Sequence, residues 1–202
     1  MVSERSFYIG SFCVTVHFLA VISFAALIIA QARYSCIALM CAAIHELGHV
    51  CLAKLCGARV YGISFLPFGA ELKTAGCKSY YKEIAVCLGG PLFNLMAGAI
   101  FFALFIAFPC EELIFCTICC GFLMLVNMVP ACGLDGGNAV KYFLLYRMEQ
   151  KRAENIVNFI QLCALILLSF VAAVTATLSN FNLSVTVICA YLFVQTLMKK
   201  NG

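Results

Sequence analysis

Long uninterrupted apolar runs fill most of the chain, and charged residues fall mainly in the short segments between them. Most of these runs reach the ~20 apolar residues that a helix needs to cross a bilayer. Apolar and polar positions do not alternate, as they do in the strands of a membrane barrel, so the runs predict helices. Six spans are predicted, at 7–32, 34–56, 83–108, 112–130, 156–178 and 184–198. The expected fold class is an all-α polytopic membrane protein.

The connection between the second and third spans contains more than a simple turn. Residues 57–82 include four glycines and Pro67, and Tyr61, Ile63 and Phe65 would share one face of an extended segment. This pattern predicts a short β-hairpin. A second connection, 137–152, has the alternation of apolar and basic residues that is typical of an amphipathic helix. No internal repeat or separate soluble segment interrupts the pattern, so residues 1–202 are predicted to form a single membrane-embedded domain.

Composition and charge agree with a membrane location. Apolar residues make up 64% of the chain and charged residues 11%, against about 25% charged in a soluble domain. On the six-span map, every basic residue except Arg33 lies on or borders one side. The positive-inside rule places that side, with both termini, in the cytoplasm. The expected location is the cytoplasmic (inner) membrane of a bacterium, and the net charge of +4 gives no reason to expect a nucleic-acid partner.

The fourteen cysteines lie mostly inside the apolar runs. Cysteine behaves in such surroundings as a small hydrophobic residue. Reduced thiols are therefore expected rather than a disulfide framework.

The second span contains an HExxH motif, formed by His45, Glu46 and His49. Residues four apart lie one helical turn apart on one face, so both imidazoles can bind the same Zn²⁺. A glutamate at this place is the general base of many metalloproteases. On a soluble helix such a motif often lies on a solvated face without function. Inside a membrane, each charge costs about 2.5–3.5 kcal/mol, so ionisable residues usually line a working site.

Catalytic zinc usually has three protein ligands and one open position. Asp135 is the candidate for the third ligand, because Pro130 ends the fourth span and glycines loosen the backbone after it. The alternative is an ordinary Asp-Gly turn at a helix end. Cys132 is a weaker candidate, since a thiolate would close the open position. His17, in the predicted first span, is expected to form an interhelical hydrogen bond instead.

Three motifs in this order resemble the site-2 protease family of intramembrane metalloproteases. They are HELGH at 45–49, Gly-Gly-Pro-Leu-Phe-Asn at 89–94, and the N-x-x-P-x-x-x-L-D-G pattern at 127–136. Residues 67–69 also look like the hairpin of that family, and the resemblance covers about 40–140. The short architecture is most similar to the sporulation-type members, which process a membrane-tethered sigma factor. The resemblance does not extend to their regulatory nucleotide-binding domain.

The resemblance implies a zinc metalloendopeptidase with one Zn²⁺ held by His45, His49 and Asp135, and with Glu46 as the base. It also implies that Asn94 and Asn127 help to hold the substrate or the developing oxyanion. Asn94 has an alternative role in a buried interhelical hydrogen bond. The implied substrate is a membrane-anchored protein, such as a tethered transcription-factor precursor or regulator, cut within or near its transmembrane segment. Inhibitory membrane-protein partners are also implied.

Two other functions stay open from the sequence. A metal transporter or sensor would also place ligands inside the membrane, although transporters usually contain inverted repeats. A catalytically inactive relative that binds membrane helices as a regulator would retain the fold without the reaction. Metal uptake by vesicles would distinguish the first from a protease, and the intact HELGH motif and Asp135 argue against the second.

Overall fold

The computed structural model describes residues 4–9, 12–17, 32–66, 69–75 and 79–178. Its elements are β1 (Glu4–Ile9), β2 (Phe12–His17), α1 (Ala32–Leu55), β3 (Arg59–Leu66), β4 (Gly69–Ala75), α2 (Tyr80–Ala107), α3 (Glu111–Asn127), α4 (Asp135–Arg147) and α5 (Gln150–Leu178). The chain divides into two compact units, with the boundary after Leu125.

The predicted helices are confirmed in the middle of the chain. The second, third and fourth predicted spans correspond to α1, α2 and α3, and the fifth falls within α5. The amphipathic segment predicted at 137–152 is α4 followed by the first residues of α5. The last predicted span, at 184–198, lies outside the described residues.

The predicted first span, at 7–32, is wrong where the structure describes it. Residues 7–9 and 12–17 belong to the strands β1 and β2, which pair in antiparallel fashion. The strands are rich in aromatic and β-branched residues such as Phe7, Val14 and Val16, which favour extended backbone. Only two residues lie between the two strands in the sequence. Residues 18–31 lie outside the described part.

The fold is therefore mostly helical with a four-stranded sheet, rather than all-α. The predicted hairpin between the second and third spans is confirmed as β3 and β4. These strands join the N-terminal hairpin in the order β1-β2-β3-β4, with β2 parallel to β3. Gly62 of β3 has no side chain to obstruct this pairing, since a Cβ there would lie 2.5 Å from the carbonyl oxygen of Cys13.

Helices α1 and α2 cross with their backbones in close contact at two glycines. A Cβ on Gly89 would lie 2.6 Å from the carbonyl oxygen of Gly48, and a Cβ on Gly48 would overlap the carbonyl of Gly89. Small residues allow this close approach between membrane helices. The crossing brings the HExxH turn of α1 against the Gly-Gly-Pro segment of α2.

The other end of α1 is joined to α3. The Arg33 guanidinium forms an ion pair with Glu112. The Tyr34 ring packs on Phe115 with a centroid distance of 4.7 Å. Helix α1 therefore contacts both α2 and α3.

Two helices of the described part are long and apolar enough to cross a membrane, at Arg33–Leu55 and Tyr80–Ala107. Only 28% and 22% of their most apolar stretches are buried in the protein. Leu95, Ile100 and Ile106 of α2 are 54–67% exposed. A core helix of a soluble protein would bury such residues, so these faces are suited to contact with lipid.

Candidate metal centre

His45 and His49 point from one face of α1 into the protein and are only 5% and 8% exposed. Their Nε2 atoms are 3.2 Å apart, and the two rings meet edge to face at 78°. A buried histidine pair of this kind needs a partner for each nitrogen, because an unsatisfied polar group is costly away from water. The sequence prediction that both imidazoles share one face is confirmed by this contact.

The neighbouring helix fixes the orientation of His49. Its Nδ1 lies 2.8 Å from the carbonyl oxygen of Val86 in α2. A carbonyl oxygen only accepts, so His49 donates from Nδ1–H. In the neutral ring, Nε2 then carries the lone pair that a metal ion needs.

Gly90 leaves space beside the two imidazoles. A Cβ on this residue would lie 2.5 Å from Nε2 of His45 and would also overlap Nε2 of His49. The same two nitrogens therefore converge on a residue that has no side chain. This arrangement fits a metal ion held by both rings, because it keeps the space next to both candidate donor atoms open.

Asn94 lies one helical turn beyond Gly90 and is fully buried. Its Nδ2 atom lies 3.0 Å from Nδ1 of His45. Its Oδ1 atom is buried and has no hydrogen-bond partner among the described residues. The structure thus places Asn94 in contact with a predicted metal ligand, in agreement with the buried interhelical hydrogen bond that the sequence left open.

Glu46 follows His45 on α1 and is partly buried. Its position one residue from a candidate ligand places it on the adjoining part of the helix surface. That is the relative position expected of a base in an HExxH helix.

The second compact unit contains Asp135, the predicted third ligand. Asp135 is partly buried and is the first residue of α4. Gly133 before it has a φ of 83°, a backbone conformation that favours glycine. A Cβ on Gly136 would overlap the carbonyl of Met128, and a Cβ on Gly137 would overlap that of Ala131. These contacts make a tight turn that determines where α4 begins.

The chemistry of the candidate donors also fits zinc. The first unit offers two imidazoles, those of His45 and His49, and the second unit offers the carboxylate of Asp135. Two imidazoles and a carboxylate are a ligand set of catalytic zinc. The weaker candidate, Cys132, is buried in the turn before α4 and is 3% exposed. His17 ends strand β2, where it pairs with Glu4, so its predicted place in a membrane helix is wrong.

Asn127, the other residue expected to hold substrate, is the last residue of α3 and is partly buried. The substrate contacts of Asn94 and Asn127 remain predictions. The sequence did not reveal the carbonyl of Val86 or the closeness of Gly90 to both imidazoles. The Gly-Gly-Pro motif was the only signal in the sequence for this part of the site.

Comparison with known proteins agrees with this site. Residues 34–113 match the model of peptidase family M50, a stretch that includes the HExxH motif, Gly90 and Asn94. No curated protein sequence matches the chain. The fold is similar to that of a site-2 protease from Methanocaldococcus jannaschii, with a TM-score of 0.68 and 17% sequence identity. The match covers 97% of this chain and 94% of that one.

These two matches confirm the resemblance to the site-2 protease family of membrane-embedded metalloproteases. The family match includes the buried histidine pair, and the structural match covers almost the whole chain.

Proposed function

We propose that this protein is an intramembrane zinc metalloendopeptidase. The observation that carries the proposal is the pair of buried imidazoles, whose Nε2 atoms lie 3.2 Å apart beside Gly90. Ionisable residues inside an apolar helix are rare and usually mark a working site. The match of residues 34–113 to a peptidase family supports proteolysis over metal transport or sensing.

One Zn²⁺ per chain would be held by His45, His49 and Asp135. When bound, zinc acts as a Lewis acid that polarises a carbonyl and makes water more acidic. Support for Asp135 comes from its carboxylate, its place in the N-x-x-P-x-x-x-L-D-G motif and the glycine turn that fixes the start of α4.

Glu46 would act as the general base and then as the general acid. Its carboxylate takes a proton from the attacking water and returns it to the departing amine nitrogen. Its place next to His45, one turn from His49, supports this role. Asn127, at the end of α3, is proposed to hold the substrate backbone.

The substrate is proposed to be a membrane-anchored protein cut within or near its transmembrane segment. A helical substrate must expose its backbone before cleavage, because its carbonyls are engaged in hydrogen bonds. Strand β4 is at one edge of the described sheet and pairs with β3. An extended substrate segment could pair with this edge as an additional strand.

The proposed setting is the cytoplasmic membrane of a bacterium, with both termini in the cytoplasm. Tethered transcription-factor precursors and their regulators, including those of sporulation, are the candidate substrates. Inhibitory membrane proteins are candidate partners. This setting rests on the charge distribution and the motif resemblance.

Comparative proteomics of membranes tests the function and searches for the substrate in the same experiment. Cells would produce the native chain, Glu46→Gln, or Glu149→Gln as a control on an exposed carboxylate in the turn before α5. Membrane proteins that accumulate uncut only with Glu46→Gln support the proposal and identify substrates. Identical membrane proteomes in all three strains, with the native chain present and metal-loaded, would refute it.

A further inference from the structure

We propose that Asn94 is a positioning residue that sets the tautomer of His45 by accepting its Nδ1–H through Oδ1. The inference rests on the proposed zinc function, and it assigns Asn94 to the metal ligand instead of the substrate. Three observations carry it: the 3.0 Å contact between the Asn94 amide and Nδ1 of His45, the complete burial of Asn94, and its Oδ1 without a partner in the described part.

Both histidines need a partner for Nδ1–H if both Nε2 atoms are to bind metal, and for His49 the backbone supplies it. The Val86 carbonyl oxygen accepts the Nδ1–H of His49, which leaves Nε2 as a donor atom for metal. If both Nε2 atoms are to bind one ion, His45 must also carry its proton on Nδ1. That proton needs an acceptor, and the Asn94 side chain occupies the place where one is required.

The Asn94 amide has two orientations, and each is compatible with one tautomer of His45. With Nδ2 toward His45, Nδ1 accepts, the proton lies on Nε2, and His45 can donate to Nε2 of His49 across 3.2 Å. This orientation closes the histidine pair without metal and leaves Oδ1 unpaired. Rotation of the amide by about 180° presents Oδ1 to Nδ1–H and frees both Nε2 atoms. Asparagine can therefore support both the metal-free pair and the metal-holding pair.

Substitutions of Asn94 distinguish a role as hydrogen-bond acceptor from a role in packing alone. Asn94→Leu has a similar volume but no acceptor, so it should favour the tautomer with the proton on Nε2. Asn94→Asp accepts through either oxygen and should hold the metal-binding tautomer permanently. Gln161→Leu is a matched control, because Gln161 is another buried amide, 5% exposed, in α5.

Zinc affinity would be measured by chelator competition on the full chain in lipid nanodiscs, with Zn²⁺ as the probe. Loss of a hydrogen-bond partner behind a ligand usually weakens metal binding about 10–100-fold. Asn94→Leu should show a loss in that range, whereas Asn94→Asp and Gln161→Leu should stay close to native. The absorption spectrum of bound Co²⁺ should change only in Asn94→Leu.

Two results would overturn the inference. One is native zinc affinity in Asn94→Leu with activity lost, which would place Asn94 on the substrate. The other is a large loss of zinc in Asn94→Asp, a result that remains decisive even if the leucine variant fails to fold. Both require a native chain that binds zinc, so they leave the proposed function standing. A native chain that binds no zinc would refute the function and the inference together.

Discussion

The Nδ1 atom of His49 lies 2.8 Å from the carbonyl oxygen of Val86, so helix α2 orients a candidate ligand carried by α1. The two helices can make this contact because Gly48 and Gly89 let their backbones approach closely. The metal-binding ability of the HExxH motif therefore depends on packing with a second helix, and on residues that carry no metal-binding group.

The first prediction concerns Gly90. In Gly90→Ala the added methyl group meets both imidazoles, so zinc binding should be lost and stability should fall by about 1–3 kcal/mol. Gly121→Ala is the control, because a Cβ at that helical position would meet no other element of the described part within 4 Å. It should bind zinc normally, with stability unchanged or raised by up to about 1 kcal/mol. Zinc content and thermal unfolding would be measured for both, and normal zinc binding in Gly90→Ala would contradict the described geometry.

Glu46→Gln separates chemistry from binding. The amide cannot take a proton, so cleavage should fall by about 10²–10⁴-fold, the usual contribution of general acid–base catalysis. Zinc content should remain native, since the ligands are unchanged. Rates would be measured on a membrane substrate identified by the proteomic comparison, with Glu149→Gln as the control. Cleavage at the native rate in Glu46→Gln would rule out the role assigned to this carboxylate.

Asp135 and Cys132 can be distinguished as the third ligand by paired substitutions. Asp135→Asn should weaken zinc binding strongly, because a neutral amide is a poor ligand for zinc compared with a carboxylate. Cys132→Ser should retain zinc, although this thiol is buried near the start of α4. Chelator competition on both variants provides the comparison. Native zinc affinity in Asp135→Asn with a strong loss in Cys132→Ser would instead identify the Cys132 thiolate as the third ligand.

Zinc should stabilise the native fold through mass action. At a free concentration 100 times the Kd, a ligand that binds only the folded state contributes about 2.7 kcal/mol. Thermal unfolding in detergent should therefore shift upward with zinc for the native chain and not for His49→Ala. Equal shifts in both proteins would mean that zinc binds elsewhere.

Helices α1, α2 and α3 were predictable because long apolar runs determine membrane helices with few alternatives. The strands of the N-terminal segment were not predictable. Its apolar run contains aromatic and β-branched residues that suit a strand as well as a helix, and its pairing partner β3 lies more than forty residues away in sequence, as Val14 pairs with Ile63. Such long-range pairing decides between two structures that local composition leaves equal.

The candidate site also has a part that the sequence predicts and a part that it does not. His45 and His49 could be identified from their spacing alone, since the helical period places them on one face. The contribution of α2 could not be identified from the sequence. Val86 acts through its backbone carbonyl, and Gly90 acts through the absence of a side chain. Asn94 was visible as a polar residue in a membrane span, but its contact with His45 depends on how two helices cross.

The most direct test of the central claim is the zinc content of the purified chain in lipid nanodiscs, measured by elemental mass spectrometry for native protein and His49→Ala. We predict about one zinc per native chain and almost none in the variant, since catalytic zinc needs three protein ligands. Equal zinc in both proteins, or none in the native chain after exposure to zinc, would contradict the account.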